Sequence, residues 1–273
     1  MATTQHAQSS GAPTLVVADV GNSRIKLAVV AEAAGLPRIE QRHDLDSHSF
    51  GCDEFEGWLM TAAPADVTVS IASVYDAAAA RLEAAIAGLS ATRHRPVHQR
   101  RVLFTDLPIM VDLAEPGRVG IDRLAAAAAA CQLKGQSRGC VVIDCGTAAS
   151  VDAVSADGRF LGGAILPGPA LMARSLADGT SLLPEVAALG KAPPPAMPGR
   201  STREAIAAGV GYGIRGGVVR LVAEARRAVG DDAEIFLTGG WRVAVHGEFA
   251  DAVELPDLVL AGIGLAAVQP AAG

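Results

Sequence analysis

Asp19-Val-Gly-Asn-Ser-Arg-Ile-Lys26 is the stretch on which the fold turns. The apolar run Thr14–Leu15–Val16–Val17–Ala18 leads into it, and Ile25-Lys26-Leu27-Ala28-Val29-Val30 leads out. Two strands around a Gly-Asn turn predict a β-hairpin. A carboxylate at the strand end, followed by Gly21-Asn22-Ser23, presents backbone N–H groups and short polar side chains to an anion. Asp19 can hold Mg²⁺ there, and Lys26 can neutralise a phosphate. Taken alone, the stretch reads better as an ordinary type I′ hairpin with a solvated Asp. A second copy reverses that preference. Gly139-Cys-Val-Val-Ile-Asp144 runs through Gly146–Thr147 into the alternating segment Ala148–Val154. Asp-x-Gly followed by a small polar residue thus occurs twice at the same structural place. Two such turns facing each other would clamp a phosphate, and duplicated halves are the best reading.

Working outward, Val67–Val74 reads as a strand and Asp76–Leu89 as an Ala-rich helix with Asp76 as its N-cap. Residues 91–107 hold a basic stretch and a further strand, and Glu115–Pro116–Gly117 breaks the chain. A helix is expected from Ile121 to Leu133. Gly162-Gly-Ala-Ile-Leu-Pro-Gly168 reads as a strand meeting a sharp turn, with a helix from Pro169 to Ala177. Lys191–Gly199 is Pro-rich and predicts an exposed loop. Ser201–Thr202 with Glu204 starts an Ala/Gly-rich helix that Ile214–Val229 continues, and Ile235–Thr238 is a strand ending in Gly239–Gly240. This alternation implies an α/β fold with mixed sheets.

The 273 residues fit one large domain or two smaller ones. A hydrophobic share of 50% and a mean hydropathy of +0.32 rule out overall disorder. With 4% aromatics against 30 Gly, the core must be aliphatic. A net charge of −6 argues against a nucleic-acid or anionic-membrane binder but not against a small anionic substrate. Cys52, Cys131, Cys140 and Cys145 have neither CxxC spacing nor a Cys/His cluster, so zinc is not expected. Cys140 and Cys145 flank the apolar run Val141–Val142–Ile143 and are expected as reduced core thiols. Met1–Pro13 lacks a basic start and an apolar core, so it reads as a disordered tail and not as a signal peptide. The longest apolar run, Leu124–Cys131, is far short of the ~20 residues of a membrane span. A cytoplasmic protein is expected.

Gly120-Ile121-Asp122-Arg123 precedes the Ala-rich helix. Glycine allows close approach and Arg123 offers a fork for a carboxylate or phosphate. In isolation, however, a helix N-cap at Asp122 with a solvated Arg123 is the commoner arrangement. Gly211-Tyr-Gly213-Ile-Arg-Gly216 matches GxGxxG formally, but a helical pattern precedes it where a dinucleotide site needs a strand. Close helix–helix packing explains those glycines instead. No GxxxxGK[ST] or HExxH pattern occurs. The basic run Arg93–Arg101 lacks interleaved aromatics and reads as a solvated loop, and the six His are scattered without ligand spacing.

Taken together, DVGNSRIK at 19–26, EPGRVGIDR at 115–123, DCGTAASVD at 144–152, GGAILPG at 162–168 and STREAI at 201–206 resemble the type III pantothenate kinases of the actin/Hsp70/sugar-kinase superfamily. The resemblance runs from Leu15 to about Leu265. It implies two related actin-like (ribonuclease H-like) lobes, residues 14–118 and 119–273 after the tail, with the active site in the cleft between them. It also implies phosphorylation of pantothenate to 4′-phosphopantothenate by ATP with Mg²⁺, the first step of coenzyme A synthesis. Asp19, Val20, Gly21, Asn22, Ser23, Arg24, Ile25 and Lys26 match the nucleotide phosphate loop, with Asp19 the Mg²⁺ candidate, and Thr147 matches the second phosphate-contacting turn. Asp144 matches the position that holds a monovalent cation, K⁺ or NH₄⁺. Gly120, Ile121, Asp122 and Arg123 match the pantothenate-binding stretch, with Asp122 as catalytic base and Arg123 the natural partner of the substrate carboxylate. Thr202 matches a residue that reaches pantothenate from the partner subunit, which implies a homodimer. Two departures stand out: Ser23 where Thr is usual, keeping the hydroxyl, and Leu113 where a Tyr is frequent, altering one pocket wall. Two competing readings keep the fold: a phosphotransferase acting on a sugar, acetate or polyphosphate, and an accessory transcriptional regulator like the relatives known as Bvg accessory factors.

Overall fold

The structure, a computed structural model, describes residues 13–64, 66–92, 97–187 and 193–268. The expected tail (but for Pro13), part of the basic run and the start of the Pro-rich segment lie outside these residues. The first hairpin is β1 (Thr14–Val20) and β2 (Arg24–Ala31), followed by β3 (Arg38–Asp46), α1 (Cys52–Ala62), β4 (Val67–Ser73), α2 (Asp76–Thr92) and β5 (Val97–Arg101). A short strand β6 (Met110–Val111) precedes α3 (Ile121–Leu133). The second hairpin is β7 (Cys140–Cys145) and β8 (Ala148–Val154), continuing into β9 (Arg159–Pro167), α4 (Pro169–Asp178) and α5 (Thr202–Val229). The chain then runs through β10 (Glu234–Gly239) and β11 (Val253–Glu254) to α6 (Leu258–Val268).

Two mixed sheets result, ordered β3-β2-β1-β4-β5 and β11-β10-β7-β8-β9-β6. Apart from β6 they have one topology. In each, the hairpin strands and the next strand run antiparallel, while the first strand takes two later strands parallel on its other side. The sequence repeat is therefore a structural repeat. β6 pairs parallel to β9, so it joins the second sheet although it precedes α3.

The central strands β1, β4, β7 and β10 are nearly continuous apolar runs because helices cover both faces of each sheet. The edge strands β3 and β5 are largely polar and exposed. Along β1, Val16, Ala18 and Val20 face the core formed with α1 and α2, whereas Val17 faces the opposite core. That opposite core is shared by both sheets. It joins Val17, Ala28 and Ala72 of the first to Cys140, Val142, Val154 and Phe236 of the second through α3 and α6. Every residue from Leu124 to Ala130 of α3 is buried. Alanine is what permits this, since its small side chain lets α6 and two sheets approach one helix from several sides. The outer face of the second sheet packs on Ile214, Val218 and Val222 of α5.

Most local signals were read correctly, though β3, α1 and α6 had no counterpart among the expected elements. The described half of the basic run is not a solvated loop: Val97–Arg101 form β5, where Arg100 Nε donates to Ser70 Oγ at 3.2 Å and Arg101 Nε to Glu83 Oε1 at 2.6 Å. Tyr75, not Asp76, caps α2: its carbonyl accepts from Ala79 N at 3.1 Å, while the Asp76 side chain bonds Arg101 Nη1 at 3.1 Å. The GxGxxG stretch lies inside the single 28-residue helix α5, but the close neighbour of Gly211 is Pro194 of the preceding loop, which an added Cβ would meet at 2.6 Å. The first turns of α5 pack Ile206 and Val210 on Ala173 of α4, and Ile214, Val218 and Val222 pack on the second sheet.

Candidate functional site

The two hairpin turns meet. Ser23 Oγ and Thr147 Oγ1, 124 positions apart, lie 2.8 Å from each other. Each turn is closed by its own glycine, Gly21 N donating to Arg24 O at 3.0 Å and Gly146 N to Ala148 O at 3.0 Å. The ends of β1 and β7 thus face each other across the junction of the two sheets, with short hydroxyls and turn N–H groups between them. Such a concavity suits an anion.

Register decides what flanks the turns. Lys26 stands opposite Asp19 on the β1–β2 ladder, and Lys26 Nζ donates to Asp19 Oδ2 at 3.3 Å. Asp19 is 6% exposed, and its charge holds the Lys26 ammonium above the usual lysine range against the opposing effect of burial. In the second hairpin Asp144 stands opposite Ser150, which brings no cation. Asp144 is half-buried and makes no side-chain hydrogen bond or ion pair among the described residues. Burial pushes its carboxyl up to about 6, with Lys26 opposing the shift and Asp122, Asp19 and Asp152 adding to it. Four carboxylates therefore share one region with Lys26 and Arg123 as its cations. No ready-made cage of three or more His, Cys, Asp or Glu occurs among the described residues.

Asp122 lies in the first turn of α3, whose N-cap is Gly120. A Cβ on Gly120 would meet Asp122 Oδ1 at 2.5 Å and Val74 Cγ1 at 3.6 Å, so glycine leaves the carboxylate its place at the end of β4. Burial first, and then the charge of Asp19, raise the Asp122 carboxyl above its ordinary value. The simple N-cap expected of Asp122 in isolation is therefore not formed, and Arg123 is not solvated. Arg123 Nε donates to Asp152 at 3.0 Å, and its guanidinium carbon lies 5.6 Å from the Phe160 ring centre. Thr202 stands apart from this cluster, exposed at the start of α5.

Several site-shaping residues escaped the sequence reading. Asp152 and Ser150 were signalled only as polar residues alternating within an apolar strand. Gly239 has φ +92°, and a Cβ there would meet the Cys145 backbone at 2.4 Å and Asp144 Oδ1 at 2.5 Å. Gly168 N donates to Thr147 O at 3.0 Å, and Trp241 Nε1 donates to Gly146 O at 2.7 Å. These support the second turn from β9 and from beyond β10. Glycine pairs at 162–163 and 239–240 were the available signal.

The family model for type III pantothenate kinase matches residues 15–224. The type III pantothenate kinase of Pseudomonas aeruginosa strain LESB58 is 42% identical over 150 residues, 55% of this chain and 60% of that protein. The chain thus spans about 60% of the length of that relative. The Bordetella petrii protein of the same name is 33% identical over 275 residues, covering 94% of this chain and 98% of its own length. Among solved structures, a protein from Sinorhizobium meliloti described as a 2-dehydro-3-deoxygalactonokinase has a TM-score of 0.56 at 18% identity, covering 95% of this chain and 98% of its own. One from Campylobacter jejuni described as a conserved Baf family transcriptional activator has a TM-score of 0.54 at 19% identity, covering 92% and 96%. At those identities the likeness is one of fold alone, that of mixed sheets flanked by helices.

Proposed function

Because this chain belongs to the type III pantothenate kinase family, we propose that it transfers the γ-phosphoryl group of ATP to the terminal hydroxyl of pantothenate. The carrying observation is the 2.8 Å contact between Ser23 and Thr147, which supports one phosphate cradle made from both halves. In this reading residues 14–118 and 119–273 are the two lobes, with β6 and α6 each lent across the division.

Residues 19–26 and Thr147 bind the phosphates, through turn N–H groups, the two hydroxyls and the Lys26 ammonium. Phosphoryl transfer has a loose transition state, so positioning and charge stabilisation are the protein's main contributions. Asp122 accepts the proton of the attacking hydroxyl, and its raised affinity for protons suits that task. Arg123 takes the substrate carboxylate, with Gly120 and Ile121 lining the approach.

The donor set fits the expected cations. Mg²⁺ is commonly held by one or two carboxylates together with substrate phosphates, which agrees with Asp19 and the lack of a full cage among the described residues. When bound, Mg²⁺ would offset the charge on the transferring phosphate. Asp144, a half-buried carboxylate without an ion-pair partner among the described residues, fits K⁺ or NH₄⁺. Thr202 reaches the substrate of a partner subunit in a homodimer, consistent with its exposure at the start of α5. The test is ATP-dependent phosphorylation of pantothenate with and without K⁺, beside a sugar and acetate as acceptors. K⁺-stimulated turnover of pantothenate is expected, and no turnover of it in either condition overturns the reading.

A further inference from the structure

Arg123 does not stand free in the cleft. Asp152, on β8 and 1% exposed, grips one edge of its guanidinium: Nε donates to Oδ1 at 3.0 Å and to Oδ2 at 3.3 Å, and Nη2 donates to Oδ1 as well. The guanidinium carbon lies over the ring of Phe160, which is fully buried on β9. Asp152 is itself held, since Ser150 Oγ donates to its Oδ2 at 2.8 Å. Backbone space is set aside for this arrangement. Gly163 stands opposite Asp152 on the β8–β9 ladder, and a Cβ there would meet Asp152 Oδ1 at 2.4 Å and Val151 O at 2.2 Å.

An arginine has five N–H donors in a rigid fork. Asp152 takes the edge that includes Nε, and Nη1 makes no hydrogen bond among the described residues. A long flexible side chain thus becomes a fixed hook with one side still available to an anion. The pair also balances charge, so Arg123 rests in the free protein without an unpaired buried cation. A carboxylate substrate would meet a hook already oriented, and the ordering entropy is lost on folding and not on binding.

We propose that Asp152, seated by Ser150 and given room by Gly163, is a positioning residue that fixes Arg123 to recognise the carboxylate of the acceptor substrate. The inference rests on the pantothenate reading above and adds to it the source of selectivity for an acidic acceptor. It assigns the second glycine of the GGAILPG motif to substrate recognition and not to the phosphate cradle.

The test compares pantothenate with pantothenol, in which a primary alcohol replaces the carboxylate, on wild type and on Asp152→Asn. Wild type is expected to favour pantothenate strongly in kcat/KM. Asp152→Asn should raise KM for pantothenate by about 10-fold or more with kcat little changed, and should leave KM for pantothenol almost where it was. Ser150→Ala is the milder variant in case Asp152→Asn folds poorly, and a several-fold rise in the same KM alone is expected. Unchanged KM and unchanged preference in both variants overturn the inference. So does an equal loss on both acceptors, or a loss confined to kcat, since either would mark the pair as structural. Absence of wild-type turnover on pantothenate overturns the functional reading itself, and the inference with it.

Discussion

Asp122 combines three residue-scale facts: a helix first turn, a neighbouring glycine that leaves its carboxylate room, and a proton affinity raised by burial and by Asp19. As the base, it must be deprotonated to work. Activity should therefore fall as pH drops through its raised pKa, and the acid limb of kcat/KM should lie above the ordinary Asp value of 3.8. Asp122→Asn should lower kcat by about 10²–10⁴-fold while nucleotide binding survives. Steady-state kinetics across pH, with titration calorimetry for ATP, check both statements, and near-normal turnover of the variant would remove Asp122 from the mechanism. The residue type and its place before a helix were legible in the sequence. Its neighbours were not, because Asp19 and Asp152 come from strands that only the folded sheets bring near.

At the scale of elements, helix α5 shows how a local code works. Ser201 Oγ accepts from Glu204 N at 3.2 Å, and Glu204 Oε2 accepts from Arg200 N at 2.7 Å. This pairing was readable from Ser201 and Glu204 alone, since capping involves only groups within one turn. Ser201→Ala should cost about 1 kcal/mol, lowering Tm by about 2–4 °C in a domain of this size. Differential scanning calorimetry would detect it, and an unchanged Tm would mean the cap contributes nothing. Asp76 was misread by the same logic, because any Asp before a helical pattern resembles a cap. Arg101 on a different strand competes for its side chain, and that partner is invisible to local rules.

For the whole molecule, the joint between the halves is α3 against α6. A Cβ on Gly262 would meet Ala125 O at 1.9 Å and Ala125 C at 2.4 Å. Gly262→Ala must push α6 away from α3 and disturb the core shared by both sheets, a cost of about 1–3 kcal/mol or more. Gly209→Ala is the internal control: nothing lies within 4 Å of its added Cβ, so it should be neutral or slightly stabilising. Equal effects of the two in chemical denaturation would contradict this picture of the joint. That core and the one beneath α5 protect the thiols of Cys140 and Cys145 respectively. Burial pushes the Cys140 thiol up to about 12 and raises Cys145 as well, whereas Cys52 is exposed. At about pH 8 a thiol reagent should therefore label Cys52 rapidly and leave Cys140 and Cys145 untouched until unfolding. Mass mapping of the labelled peptides decides the matter, and rapid native labelling of Cys140 would refute it.

The sequence by itself determined the two Asp-x-Gly hairpins, the α/β class, the helix at Ile121–Leu133 and the glycines that punctuate the turns. These depend on periodicity and backbone freedom within a few residues, so no distant partner is needed to read them. The tertiary structure alone decided that Ser23 touches Thr147, that Asp144 lacks the cation Asp19 has, and that Arg123 is held by Asp152. Those are relations between strands far apart in the chain, set by sheet register and by the packing of α3 and α6 between two sheets. No local pattern carries that information, because the interactions form only when the shared core brings the two halves together.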